Sequence, residues 1–129
     1  MDQKILSNAV VSVNNTAISY VPGSLKYTEG LGTLKVMPQA GGGGQVQMAI
    51  ADDVTTKIGK VSFELKPTAT NIALARVWKN NINANVVKLS ASGSPFSKTF
   101  TAAAIVNDYE VNLSPDGNFM LQFEGNPAV

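Results

Sequence analysis

Apolar and polar side chains alternate one for one in stretch after stretch of this chain. In KVSFEL, Val61, Phe63 and Leu65 fall to one side and Lys60, Ser62 and Glu64 to the other. QVQMAIA divides the same way, with Val46, Met48 and Ile50 against Gln45, Gln47 and Ala49. Tyr109, Val111 and Leu113 alternate with Glu110 and Asn112, and Phe119, Leu121 and Phe123 with Met120, Gln122 and Glu124. A period of two sends successive side chains to opposite faces of a strand, one buried and one wet, which is the pattern of antiparallel sheets. Val, Ile and Thr together number 30 of the 129 residues and favour the same extended backbone.

Turn signals divide these runs. Residues 8–13 and 16–21 read as two strands joined by Asn14-Asn15, whose short amides tolerate hairpin dihedrals. Pro22-Gly23 breaks the ladder, and a short strand over Leu25 to Tyr27 follows. Further strands are expected in Thr33 to Met37, in 45–51, in the stretch that Pro67 stops, in ANVVKLSA and in SKTFTAAAIV. DYEVNLS and GNFMLQFEG read as a last strand pair joined across Pro115-Asp116-Gly117. The one helical pattern covers residues 70–80, with Thr70 as N-cap. Leu74, Val77 and Trp78 are its packing anchors, helped by Ile72 and Ala75, while Arg76, Lys79 and Asn80 form the polar side. Three turns cannot persist alone in water, so the helix must lie across the sheet. The expectation is roughly seven to nine strands in one mainly β domain. Residues 1–129 then form a β-sandwich or half-barrel of two antiparallel sheets, with one short flanking α-helix and a long glycine-rich loop or hairpin.

Composition removes most chemistry. Without His or Cys there is no imidazole base, thiol nucleophile, disulfide or ordinary zinc ligand set. No catalytic, cofactor or metal-binding residue is assigned. Asp52-Asp53 reads as a solvated strand end, and neighbours in sequence do not make an opposed carboxylate pair. Glu110 and Glu124 could face each other across the last hairpin, but the sequence does not place them at a reactive separation, and like charges there are expected to be separated, solvated or compensated by a lysine. The Gly41–Gly44 run lacks the lysine and helix of a phosphate loop. The net charge of +1, with dispersed lysines, gives no basic track for nucleic acid. The opening MDQKILSNAVVSV lacks the pattern of a secretory signal, so cytoplasmic synthesis is expected. Surface polarity falls to 12 Asn, 10 Ser, 9 Thr and 5 Gln, neutral groups that suit a repeated structural subunit.

Residues 28–50 stand apart. Leu31, Leu34, Val36 and Met37, then Val46, Met48 and Ile50, are too apolar for a solvated linker, yet Gly41, Gly42, Gly43 and Gly44 interrupt them. Ordering four glycines costs about 4 to 8 kcal/mol. The segment reads as an assembly arm with a glycine hinge, mobile in the lone subunit and ordered by a neighbour. Ala102 to Val106 and Phe119-Met120-Leu121 also carry apolar or small residues on both faces, more than a two-faced sandwich can bury.

ISYVPGSLKYTEGLG at 18–32, PQAGGGGQV at 38–46, DVTTKIGKVSFELKPTATNIALARVWKN at 53–80 and KTFTAAAIVNDYEVNLSPDGNFMLQFEGNP at 98–127 together resemble a bacteriophage tail tube protein of the contractile-tail type. The resemblance spans most of the chain and rests on lengths and turns. It implies a fold related to secretion-system tubes, six-membered rings stacked through the long loop, and a channel that passes viral DNA without base-specific contacts. It further implies a virion location after synthesis in the host cytoplasm, with baseplate, terminator and sheath proteins as partners. Gln45, Gln47, Ser62, Glu64 and Glu110 are the candidate lumen face. The alternative is a non-catalytic sandwich that binds carbohydrate or protein, for which Trp78 and Phe96 are the obvious platforms.

Overall fold

A computed structural model describes residues 5, 6 and 9–129. The first strands are β1 (Val10–Val13), β2 (Thr16–Ile18), β3 (Lys26–Thr28), β4 (Thr33–Ala40), β5 (Val46–Asp53) and β6 (Gly59–Leu65). Helix α1 (Ala69–Asn80) separates them from β7 (Asn85–Ser90), β8 (Ser97–Ile105) and β9 (Phe119–Gly125). Seven strands form one antiparallel sheet in the order β2-β1-β7-β8-β9-β6-β3, and β4 and β5 form a second sheet of their own. The mainly β reading, with two antiparallel sheets and one flanking helix, is borne out.

The large sheet turns a corner at β8. Residues Ser97 to Phe100 and then Ala103 pair with β7, whereas Ala104 and Ile105 pair with β9. Just before this switch, where the β7 register shifts, Ala102 takes φ 51°, the left-handed conformation by which a bulge bends a strand. The two halves enclose one core: Val11, Val13, Val87, Leu89 and Phe100 from one side, Val61, Phe63, Leu65, Phe119, Leu121 and Phe123 from the other. Asn14 and Asn15, at φ 52° and 68°, make the tight turn between β1 and β2 that their side chains tolerate. The expected strand 8–13 starts at Val10, and residue 8 lies outside the described residues. The expected strand 16–21 ends at Ile18, and the Val21 amide donates instead to the Glu64 carbonyl at 2.8 Å.

The helix begins and faces differently from expectation. Thr68, not Thr70, is the N-cap: it follows Pro67 in extended conformation and its hydroxyl accepts from the Asn71 amide at 3.1 Å. Trp78 and Ala75 are buried, and Trp78 meets Phe123 with ring centroids 6.2 Å apart. Leu74 is half-buried, but Val77 is 62% exposed and is no packing anchor. The side that carries Ala75 and Trp78 faces the sheet instead, and the Lys79 ammonium turns to the carbonyls of Ile105 and Asn107, at 3.0 and 3.1 Å, in the same rotation of the helix.

DYEVNLS is not a strand. The side chain of Asn107 takes the place of one, donating to the Met120 carbonyl at 2.8 Å and accepting from the Gln122 amide at 3.0 Å. With that stretch of β9 satisfied, the chain from 108 to 113 leaves the sheet. Tyr109 still packs on Phe119, with centroids 5.6 Å apart, while Leu113 is exposed. The Pro115-Asp116-Gly117 turn forms as expected, closed by the Gly117 amide on the Ser114 carbonyl at 3.0 Å.

Candidate assembly surfaces

The segment expected to be an arm is a β-hairpin. β4 and β5 pair in unbroken register from Thr33↔Asp53 to Ala40↔Val46 and hydrogen-bond as strands only to each other. β4 passes through Pro38, beyond the expected Met37, because its outer edge needs no donor. Gly41 to Gly44 form the tip, with Gly43 and Gly44 at φ 76° and 80°. The register places Leu34, Val36, Pro38, Ala40, Val46, Met48 and Ile50 on one face. That face is uncovered: Leu34, Val46, Met48 and Ile50 are each more than 60% exposed. Met37 lies on the opposite face with Lys35, Gln39 and Gln47, and Leu31 lies outside the hairpin, near its root. A two-stranded hairpin is marginal alone in water, and one with a bare apolar face gains most from being covered.

The root of the arm is tied down by short-range polar contacts. The Thr33 amide donates to Thr56 Oγ1 at 2.8 Å, and that hydroxyl donates to the Asp53 carbonyl at 2.7 Å. Asp53 caps the following turn through the Thr55 amide at 3.1 Å, and Asp52 pairs with Lys57 at 2.9 Å. Gly30 is required here. At φ 86° a Cβ would lie 2.8 Å from the Gly59 nitrogen. Lys98 and Glu29 pair at 2.6 Å beside the root, and this hydrogen bond raises the Lys98 ammonium above the ordinary lysine value against a smaller opposing effect of desolvation.

A second surface is the wet face of β3, β6 and β9. Cross-strand register aligns Thr28, Lys60 and Glu124 in one row and Lys26, Ser62 and Gln122 in the next, with Glu64 opposite Met120. Lys60 and Glu124 are opposite charges on neighbouring strands. Of the expected lumen residues this face unites Ser62 and Glu64. Gln45 and Gln47 belong to the arm, and Glu110 lies in the irregular connection after β8. Glu110 and Glu124 do not face each other across a hairpin, because residue 110 is not in a strand, so the two like charges are not strand neighbours.

Comparison with known proteins adds the fold. A chain of the anti-feeding prophage cap, a tube-terminating cap, has a TM-score of 0.64 at 7% identity, covering 100% of this chain and 91% of that one. A chain of the PVC sheath-tube complex, an extracellular contractile injection system in its extended state, has a TM-score of 0.58 at 11% identity over 97% and 88%. A chain of the six-fold symmetrised anti-feeding prophage baseplate has a TM-score of 0.56 at 15% identity over 100% and 96%. No protein-family profile and no curated protein matches the sequence. At such identities the likeness is one of fold.

Gln122 and Glu124 complete the wet face, and they were legible from the same alternation that puts Leu121 and Phe123 on the core side. Trp78 is 3% exposed and Phe96 is half-buried against Tyr27, with centroids 5.8 Å apart, so neither is an open platform for a sugar. Among the described residues, no helix is long and apolar enough to cross a membrane, and no three acidic side chains converge as a metal site.

Proposed function

We propose that this chain is a structural, non-enzymatic subunit of the tube of a phage tail or phage-like contractile particle. Six-membered rings stack around a channel that passes viral DNA, and the chain works inside an assembled particle beside baseplate, terminator and sheath proteins. The observation that carries this reading is the arm: a preformed hairpin whose bare apolar face has no cover in its own subunit. The shared fold with cap, sheath-tube and baseplate chains supports it. Ring closure removes the two edges of the large sheet, β2 and β3, which are only three residues long each. Ser62, Glu64, Gln122 and Glu124 are the candidates for the channel wall. Lys26 and Lys60 share that face, so the charges of Glu64 and Glu124 are balanced and little net field is left to hold phosphates as they pass.

The test replaces residues 34–52 by two glycines, joining Thr33 to Asp53 where the arm already closes. Circular dichroism reports the fold, while sedimentation and electron microscopy report assembly. The expected result is a folded subunit that forms no long tubes. Tubes of normal length would refute the arm's role, and loss of the fold would make the arm part of the core.

A further inference from the structure

The two edges of the arm are not alike. The Gly41 amide donates to the Gln45 carbonyl, and in the register that continues from there Gln39↔Gln47, Met37↔Ala49 and Lys35↔Ala51 are the rungs that exchange hydrogen bonds inside the hairpin. The alternate rungs, Ala40↔Val46, Pro38↔Met48 and Val36↔Ile50, turn their backbone groups outward. On β4 that outer edge is broken at its middle by Pro38, which has no amide to offer. On β5 it is whole. Val46, Met48 and Ile50 each present an amide and a carbonyl, and no proline, register shift or charged residue guards them between Gln45 and Ala51. This strand is eight residues long, against three for each edge strand of the large sheet, and an edge of that length is a template for another strand.

We propose that the outer edge of β5 pairs with the β5 edge of a second copy, antiparallel and centred on Met48, so that two free subunits share one sheet in the order β4-β5-β5-β4. The inference concerns the subunit before it assembles and goes beyond the tube reading. The edge itself selects this occupant. Pairing about Met48 sets Met48 against Met48 and Val46 against Ile50, all residues whose backbone groups point outward, so every rung exchanges both of its hydrogen bonds. Apolar side chains then meet apolar ones on one face, and Gln47 meets Ala49 on the other. Asp52 falls beside Gly44 of the second copy, so no like charges oppose. The β4 edge fits less well, because Pro38 would leave a β5 carbonyl without a donor. Growth also stops there. Both outer strands of the joined sheet are β4, with Pro38 breaking each edge, so the product is a closed two-fold pair and not a fibre. The joined sheet passes the size at which strands hold together in water, which a lone hairpin does not, and a contact this small stays reversible.

Sedimentation of freshly prepared subunits, before any particles form, reads the pairing as a monomer–dimer equilibrium. Met48→Pro mirrors Pro38 across its rung: it spares the hairpin, whose ladder does not use that amide, and removes the central donor of the edge. It should weaken the dimer about tenfold or more, whereas Val36→Pro, on the edge already broken, should leave it unchanged. Cross-linking reads the register separately, since the chain has no cysteine. Met48→Cys should oxidise to a dimer on its own. Val46→Cys and Ile50→Cys should do so when mixed and not singly, because each lies about 13 Å from its own counterpart. A subunit that stays monomeric at every soluble concentration overturns the pairing. So does equal weakening by the two prolines, or a Val46→Cys dimer as abundant as the mixed product. The arm replacement is read in assembled material and these measurements in the free subunit, so the tube reading and the pairing fail independently.

Discussion

The side-chain amide of Asn85 donates to the carbonyl of Trp78 at 2.9 Å, deep inside the protein. Asn85 is fully buried, the one buried polar side chain among the described residues, and it is saturated. Its amide also reaches the Asn81 carbonyl at 3.0 Å, and its oxygen accepts from Asn14 at 3.1 Å and Asn81 at 3.2 Å. One residue at the start of β7 thereby holds the end of α1 and the β1–β2 turn together. Asn85→Ala removes these bonds and orphans part of the helix end, so it should lower stability by about 2 to 4 kcal/mol, read by denaturant unfolding.

Asn107 stands in for a strand beside β9, so its loss should open that stretch to water. Asn107→Ala is expected to cost about 1 to 2 kcal/mol. Hydrogen exchange at the Gln122 amide is the local readout. It should quicken well beyond what the global change accounts for, and unchanged protection would show that the side chain is dispensable there.

Gly59 has no room for a methyl group. A Cβ there would lie 2.4 Å from the Asn126 carbonyl oxygen and 2.6 Å from Phe100 Cδ1. Gly59→Ala should therefore destabilise the subunit by about 3 kcal/mol, whereas Gly42→Ala, where nothing lies within 4 Å, should be neutral for the fold. Thermal unfolding of the pair separates them.

The Lys98–Glu29 pair gives a pH prediction. Because the hydrogen bond with Glu29 raises the folded Lys98 above its unfolded value, the pair's contribution is fully present below the ordinary lysine range. It is lost as pH rises through the elevated folded value. NMR titration of the Lys98 side chain should show that elevation, and Glu29→Gln should bring it back toward an ordinary lysine.

Substitutions on the arm should separate folding from assembly. Val36→Asp and Ile50→Lys alter exposed side chains and should shift subunit stability by no more than about 0.5 kcal/mol. Both should sharply reduce tube formation in sedimentation. Lys35→Ser, on the opposite face, should leave assembly unchanged.

Strand identity was legible wherever one face is buried and one wet, because Val61, Phe63 and Leu65 cannot exchange faces with Lys60, Ser62 and Glu64 without ruining the core. The same alternation misled at 109–113. Periodicity records which side chains prefer burial, but not whether a neighbouring strand has an edge to offer, and Asn107 had already satisfied that edge of β9. For the helix the wheel angle was ambiguous, since seven of its twelve residues are apolar, and no hydrophobic pattern announces that Ala75 and Trp78 are buried while the Lys79 ammonium turns to the Ile105 carbonyl. The arm was legible as a unit from its glycines and apolar flanks. The residues expected to share one face were only partly brought together: alternation assigns a face within one strand, and Gln47 and Ser62 stand on different sheets that no local pattern relates.

The arm leaves and rejoins the body at Thr33 and Asp53, residues paired directly across its first rung. An excursion that begins and ends at the same place is an insertion in the topological sense, and its length and sequence are decoupled from the core that carries it. On the proposed reading, natural selection, or a protein engineer, can therefore rewrite which neighbours the subunit accepts by exchanging one hairpin, while the problem of folding stays solved.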